Sequence, residues 1–137
     1  MRVLWTHNFN PATPNSQVFM NIAAMGLPSR NVDLHLEYLG NLRSITNLVS
    51  GRKRLQKIAA GFDLVHAQYG SACALATAAI DGIPKVLSVR GSDWNVYNAS
   101  IGFHYFHTRI ARAMTRWSLE RYDYILTVSH RISADVQ

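Results

Sequence analysis

The sequence predicts an α/β fold, a doubly wound and mostly parallel sheet of about six strands with helices on both faces. The main observation is that short β-rich runs alternate with longer helical segments along the chain, an order typical of a parallel sheet covered on both sides. The second is composition, because 137 residues with 48% hydrophobic and 16% charged side chains suit one domain with a substantial core. We therefore expect a single domain over residues 1–137.

Five segments have the pattern of strands. Residues 3–6 form an apolar run near the N terminus, and residues 32–39 alternate apolar and polar side chains. Further β-rich runs occupy residues 64–69, 85–89 and 124–128, and Pro84 and Gly91 bound the fourth of the five runs. Runs of this length between glycine, proline and polar residues are typical of strands.

Helical segments separate these strands. Ser16 is a suitable N-cap for a helix that continues to about residue 25, after which Gly26 and Pro28 end it. The other predicted helices cover residues 41–60, with an interruption at Gly51, then residues 71–80, residues 104–121, and a segment that begins near residue 129.

The helix over residues 104–121 has two faces of different chemistry. The apolar face carries Tyr105, Phe106, Ile110, Met114 and Trp117, and the neighbouring basic face carries Arg109, Arg112 and Arg116. In one interpretation the apolar face belongs to the core and the arginines are merely solvated. In the other, the helix lies on an anionic membrane surface. Both interpretations stay open.

Polar residues follow the predicted strands at the points where those strands end. The carboxyl ends of parallel strands meet at one edge of the sheet, where open α/β folds bind their ligands. We therefore expect the polar residues and glycines of four strand ends to form a substrate-binding edge. These candidates are His7, His66, Gly70, Arg90, Gly91, Ser92, Asp93 and Ser129.

The candidates differ in what they can do. Asp93 can accept hydrogen bonds from hydroxyl groups, or it can form a turn with Ser92. Arg90 is a fixed cation that cannot act as a base, although its planar group can bind phosphate or carboxylate through two hydrogen bonds. Gly91 allows a positive φ or a close approach by a ligand. His66 can bind a ligand or hydrogen-bond a neighbouring loop.

Two sequence phrases resemble a known family. Residues 63–70 read Asp-Leu-Val-His-Ala-Gln-Tyr-Gly, and residues 82–93 read Gly-Ile-Pro-Lys-Val-Leu-Ser-Val-Arg-Gly-Ser-Asp. They resemble the paired motifs in the N-terminal, acceptor-side domain of family-4 glycosyltransferases of the GT-B type. The resemblance implies one Rossmann-like half of the GT-B fold, with the strand ends named above facing the substrate cleft.

The chain departs from the family pattern at three places. Arg90 stands where many relatives have a histidine, which counts against proton transfer at this position, and Gln68 replaces the second histidine of the first phrase. The loop over residues 11–16 lacks the usual glycine pair. The turn chemistry of Asn15 and Ser16 is the remaining way for that loop to meet the phosphates of a donor.

The resemblance implies a retaining sugar transfer from a nucleotide-sugar co-substrate to a glycan or lipid-linked acceptor, without another cofactor. The family's donor domain carries two glutamates eight positions apart, whereas this chain has only Glu37 and Glu120. We therefore expect that the donor domain is missing, that the domain is truncated and that the isolated chain is inactive. The alternative is a non-catalytic binding or scaffold module for a phosphorylated ligand or partner chain. An oxidoreductase is disfavoured, since no Gly-x-Gly-x-x-Gly follows the first strand.

Charge and single residues restrict the remaining classes. The formal net charge of +6 comes without the stacking aromatics and motifs of nucleic-acid-binding modules, so no nucleic acid is expected. No metal is expected either, because His104 and His107 lack a further ligand nearby. The lone Cys73 is predicted to be a buried thiol in a reducing cytoplasm. We expect a cytoplasmic protein, with a peripheral position on the inner face of the membrane as a further hypothesis.

Overall fold

The computed structural model describes residues 1–10, 12–13, 18–95 and 102–136. The described residues form one sheet of five parallel strands in the order β2-β1-β3-β4-β5. The strands are β1 (Arg2–His7), β2 (Asp33–Tyr38), β3 (Leu64–Ala67), β4 (Lys85–Val89) and β5 (Tyr124–Thr127). The predicted α/β fold with a parallel sheet is confirmed, with five strands in the described part rather than about six.

In the described part of the chain, five α-helices connect or follow the strands: α1 (Val18–Met25), α2 (Ile45–Ile58), α3 (Ser71–Thr77), α4 (Phe103–Leu119) and α5 (His130–Val136). Side chains that alternate along β1 enter two separate cores. Val3 and Trp5 pack with Met20 of α1 on one face of the sheet. Leu4 belongs to the larger core on the other face, which also includes Leu55 of α2 and residues of α3. Helices therefore cover both faces, as predicted.

The strand order places a switch point between β1 and β3. The chain leaves β1 through α1 on one face of the sheet, and it leaves β3 through α3 on the opposite face. The connections after β1 and β3 therefore diverge at the carboxyl ends of two adjacent strands, which opens a crevice there. The strand order alone thus places a crevice at the carboxyl ends of β1 and β3, the position where folds of this topology bind ligands.

Helix α4 packs on α3 through small side chains, and its large apolar side chains point outward. Thr115 and Ser118 are fully buried, and Ala111 is 7% exposed. Phe106 and Trp117 are instead 62% and 49% exposed. The interpretation that this apolar face is core is wrong, because the alanine-rich α3 approaches α4 closely only where α4 also has small residues.

Two of the helix predictions concern Gly51 and Ser16. Gly51 does not interrupt α2; it is buried inside the helix, where an added Cβ would lie 3.7 Å from the Leu39 carbonyl oxygen. The close approach of Leu39 explains the small residue at this position, and α2 continues through Gly51 without a break. The predicted N-cap Ser16 and the turn residue Asn15 lie outside the described residues.

Cys73 lies on the sheet-facing side of α3. Its thiol is completely buried next to the Thr6 hydroxyl and carbonyl groups, and burial raises its pKa to about 12. The predicted buried thiol is confirmed, and it is protonated and unreactive at neutral pH. Within the described residues, no helix combines the length and apolar character needed to cross a membrane.

Candidate functional site

A cleft of about 740 Å³ opens at the carboxyl edge of the sheet. Its walls come from the segments that follow β1, β2, β3 and β4, and from α4 on the opposite side. The lining residues in chain order are Asn8, Asn10, Tyr38, Asn41, Leu42, Arg43, Tyr69, Ser71, Ala72, Ser92, His107, Ile110, Ala111 and Met114. The cleft therefore lies where the strand order predicts a ligand site.

The two sides of the cleft differ in chemistry. The strand-end side presents amides and hydroxyls, including those of Asn8, Asn41 and Ser92, whereas the α4 side presents Ile110 and Met114. Amides and hydroxyls both donate and accept hydrogen bonds, which suits a ligand with many hydroxyl groups. An apolar wall opposite them suits the hydrophobic face or tail of the same ligand.

Asp93 joins the loops after β3 and β4. Its Oδ2 accepts a hydrogen bond of 2.7 Å from the Gly70 backbone N–H, and its Oδ1 accepts one of 2.9 Å from the Arg90 backbone N–H. The side chain is 1% exposed, and burial raises its pKa while the backbone donors act in the opposite direction. Asp93 therefore positions two loops from below the surface, and Ser92 beside it faces the cleft.

The first residue of α3, Ser71, is held next to Asp93 by a contact with α4. The Ser71 N–H donates to the Thr115 Oγ1 of α4 at 2.7 Å. The single hydroxyl hydrogen of Thr115 has two acceptors within reach, the carbonyl oxygens of Asp93 at 3.0 Å and Ala111 at 2.9 Å. Ser71 has a φ of 58°, a left-handed conformation that costs a residue with a side chain about 1–2 kcal/mol. Strain of this kind is typical of functional sites, and Ser71 lines the cleft.

His66, Gln68, Arg90 and Ser88 form one hydrogen-bonded network across β3 and β4. Arg90 donates through Nε to the Gln68 carbonyl oxygen and through Nη2 to Gln68 Oε1, both at 2.8 Å. The Gln68 amide nitrogen lies 3.0 Å from His66 Nδ1, and His66 Nε2 lies 2.8 Å from the Ser88 hydroxyl. His66 therefore hydrogen-bonds inside the sheet and does not line the cleft.

The remaining predicted residues occupy different positions. His7 is 4% exposed and stacks with Phe9, and burial lowers its pKa. Gly91 has a φ of +103°, the left-handed region that glycine adopts without strain. Ser129 is exposed and accepts a hydrogen bond from the Ile132 N–H, so it caps α5.

The structure thus brings Arg90, His66, Gly70 and Asp93 together around the ends of β3 and β4, but only Ser92 of the predicted set lines the cleft. Sequence reasoning missed Tyr69, Ser71 and the α4 wall as lining residues. Tyr69 contacts Ser92 through a hydroxyl–hydroxyl hydrogen bond. Their positions could have indicated this role, because Tyr69 and Ser71 lie in the short segment between the end of β3 and the first turn of α3.

No group of three or more metal-ligating side chains occurs among the residues that the structure describes. His107 lines the cleft, whereas the side chain of His104 lies outside the described set. The polar groups that line the cleft are therefore amides, hydroxyls, the imidazole of His107 and the guanidinium of Arg43.

Because His66 is buried with a lowered pKa, we expect the protein to lose stability in weak acid. Burial lowers the pKa of His66 from 6.5 to about 4, with a smaller contribution from Arg90. The unfolded chain then binds the proton more tightly, so stability is lost as the pH falls through the window from 6.5 to about 4. Between pH 7 and pH 5 the free energy of unfolding should fall by ~1–2 kcal/mol because of this group.

Urea denaturation at the two pH values tests this. His66→Gln should remove the part of the difference that His66 causes, while His7, whose pKa burial also lowers, keeps its own part. The control His130→Gln, at an exposed position, should leave the difference unchanged. An undiminished pH dependence in His66→Gln would assign the effect to another group.

The five-stranded parallel sheet, with its switch point and its edge cleft, defines an α/β domain of the Rossmann-like class. The model of Glycosyltransferase Family 4 matches residues 3–137. The chain belongs to this family, and the two segments at residues 63–70 and 82–93 lie within the matched range. A comparison with curated proteins gives no match.

Proposed function

We propose that this domain holds the acceptor in a retaining transfer of sugar from a nucleotide-sugar to a glycan or lipid-linked acceptor. The nucleotide part of the donor is bound by a second domain, and no other cofactor takes part. The observation that carries the proposal is the cleft at the switch point, with a hydroxyl-binding side and an apolar side. Family membership supports the sugar chemistry.

The chemistry of the walls favours an amphiphilic acceptor. A sugar ring offers hydroxyl groups to Asn8, Asn41 and Ser92, and an attached alkyl chain follows Met114 and Ile110 out of the cleft. Ile110 is both a lining residue and 57% exposed, so the apolar wall continues onto the outer surface of α4. Catalysis would then come mainly from positioning this acceptor against the donor.

Binding of simple glycosides tests the proposal. Octyl glycosides, used below their micelle concentration, should shift the NMR signals of cleft residues and bind more tightly than the matching methyl glycosides. Asn8→Ala should weaken octyl glycoside binding by about 5- to 10-fold, the effect of one lost hydrogen bond to a neutral group. The control Asn21→Ala changes an exposed asparagine of α1 and should have no effect. Equal binding by Asn8→Ala, or shifts confined to other surfaces, would contradict the proposed cleft.

We also propose that α4 places the cleft against an anionic membrane surface, inside the cytoplasm. Phe106, Ile110 and Trp117 form the α4 apolar stripe, which is exposed along its length. Arg109 and Arg116 are exposed beside it. Arg112 is partly buried, with its guanidinium 5.0 Å from the centre of the Trp94 ring, so two of the three predicted arginines carry the basic face. Aromatic and aliphatic side chains beside arginines suit the headgroup region of a bilayer.

Vesicle co-sedimentation tests the membrane proposal. The chain should bind vesicles that contain phosphatidylglycerol and should be released by added salt, because each basic residue contributes only ~1 kcal/mol and is screened. The double variant Arg109→Gln, Arg116→Gln should bind at least about 10-fold more weakly. Its control is Arg52→Gln, Lys53→Gln, at two exposed basic positions of α2. Equal binding to phosphatidylcholine vesicles, or equal losses in both double variants, would reject a specific role for α4.

A further inference from the structure

We propose that Arg90 and Gln68 form a built binding site for a phosphoryl oxyanion beside the cleft. The inference rests on the proposed function for the source of that anion, a nucleotide-sugar diphosphate or a phosphate-linked lipid acceptor. The site itself is inferred from the partly buried Arg90 guanidinium, which is held by two hydrogen bonds to Gln68.

Gln68 holds one side of the Arg90 guanidinium. The Nε and Nη2 groups both donate to Gln68, one to its backbone oxygen and the other to its side-chain oxygen. The outer edge, with Nη1 and the second hydrogen of Nη2, has no acceptor among the residues that the structure describes. This edge offers two parallel N–H groups in the geometry that matches two oxygens of a phosphate.

The orientation of Gln68 is determined by its neighbours. Arginine has only donors, so Gln68 must present its oxygen to Arg90 and its NH2 group to His66. His66 Nδ1 therefore accepts a hydrogen bond, and its proton lies on Nε2, which faces the Ser88 hydroxyl at 2.8 Å. Gln68 is 1% exposed, so this buried chain of polar groups fixes the guanidinium before any ligand arrives.

The charge of Arg90 is not neutralised by an ion pair. The ion pairs between described residues involve Arg2, His35 and Arg54, and none involves Arg90. The nearby Asp93 directs both carboxylate oxygens to backbone N–H groups. A partly buried cation without a paired anion loses hydration, and an oxyanion at its outer edge would offset that loss.

The location also fits a charged part of a cleft ligand. Gln68 directly precedes Tyr69, and Arg90 lies two positions before Ser92. Tyr69 and Ser92 both line the cleft, and their hydroxyl groups are hydrogen-bonded to each other. Arg90 itself is not a lining residue of the cleft, but it lies two positions before the lining residue Ser92, so an anion on Arg90 would be close in the chain to that wall. A purely structural role, in which Arg90 only holds the end of β3, makes no use of its outer edge.

Titration of the chain with inorganic pyrophosphate, at low ionic strength, distinguishes these roles. We expect the Arg90 Nε–Hε NMR signal to shift, and Arg90→Gln to weaken pyrophosphate binding by at least about 10-fold. Gln68→Met, which keeps the backbone oxygen and the side-chain volume, should weaken it by about 3-fold through a less ordered guanidinium. Arg112→Gln, at another partly buried arginine, should bind as the unmodified chain does.

Arg90→Lys keeps the charge without the paired N–H groups and serves if Arg90→Gln does not fold. It should bind pyrophosphate more weakly than the unmodified chain. An unmoved Arg90 signal during saturable binding would overturn the site, and so would pyrophosphate affinities of Arg90→Gln and Arg90→Lys equal to that of the unmodified chain. Competition by a nucleoside diphosphate or by octyl phosphate then identifies the source of the anion, and either result supports the site.

The outcome is separable from that of the proposed function. Octyl glycoside binding without pyrophosphate binding at Arg90 would remove this inference alone. Pyrophosphate binding at Arg90 without glycoside binding in the cleft would remove the acceptor assignment and leave the oxyanion site.

Discussion

Replacing Gly70 with alanine is expected to lower the free energy of unfolding by about 3 kcal/mol, at the upper end of the range for overpacked positions. An added Cβ would lie 2.5 Å from Thr115 Oγ1, 2.6 Å from Asp93 Oδ2 and 2.9 Å from Thr115 Cγ2. Thr115 and Asp93 are 0% and 1% exposed, so neither side chain has space into which it can move. The backbone at Gly70 must therefore move away from Asp93 and Thr115, which disrupts the hydrogen bonds that hold the loops after β3 and β4 together.

Urea denaturation measures the loss, and Gly26→Ala is the matched control. At Gly26 the nearest atom to an added Cβ is 3.9 Å away, an ordinary contact, and the change should stay within about 0.5 kcal/mol. The double variant Gly70→Ala, Thr115→Ala should be more stable than the sum of the single changes predicts, because two of the three close contacts disappear. Strict additivity, or a Gly70→Ala variant as stable as the unmodified chain, would contradict the packing described here.

The fold was predictable because several local signals agree. β4 runs over Lys85–Val89 as predicted, since Pro84 and Gly91 bound an apolar run whose residues suit a buried strand. The alternation of strands and helices then determined the parallel sheet, and its carboxyl edge determined where to look for a site. These signals lie within one segment or in the order of segments.

The orientation of α4 was not predictable from its own sequence. Its apolar residues have helical spacing, which normally marks a buried face. The face that is buried carries Thr115 and Ser118, because the neighbouring α3 is rich in alanine and the two helices pack closely. The choice depends on a partner helix about 40 residues earlier in the chain, so no pattern within α4 reveals it.

Residue roles at the site were harder to predict than residue positions. The sequence identifies Gln68 only as the replacement of a histidine, whereas in the structure its side chain links His66 to Arg90, a residue 22 positions away from Gln68. The sequence allows Asp93 either to bind hydroxyl groups or to form a turn, and the structure shows a carboxylate directed at two backbone N–H groups. Such roles depend on which strands are neighbours, and the sequence predicts that only after the sheet order is known.

Replacing Asp93 with alanine is expected to lower the free energy of unfolding by about 3 kcal/mol. The change leaves the N–H groups of Gly70 and Arg90 without their acceptor, and each unsatisfied buried group costs about 1–3 kcal/mol. The raised pKa of Asp93 shows that burial of the charge opposes this stabilisation, so the loss should stay below that for two fully unsatisfied donors.

Asp93→Asn separates the hydrogen bonds from the volume of the side chain. An asparagine amide has one oxygen, so it can accept from either Gly70 or Arg90 while its NH2 group faces the other donor. We expect a loss of about 1–2 kcal/mol, smaller than that for alanine, and increased amide hydrogen exchange at Gly70 or Arg90 but not in β1. The exposed Asp81→Asn serves as the matched control and should change stability by less than about 0.5 kcal/mol. If Asp93→Asn and Asp93→Ala both left stability and exchange unchanged, the two cleft loops would be held by other contacts. Asp93 would then have no role in fixing the loop on which Arg90 lies, and the guanidinium would be held by its two hydrogen bonds to Gln68 alone.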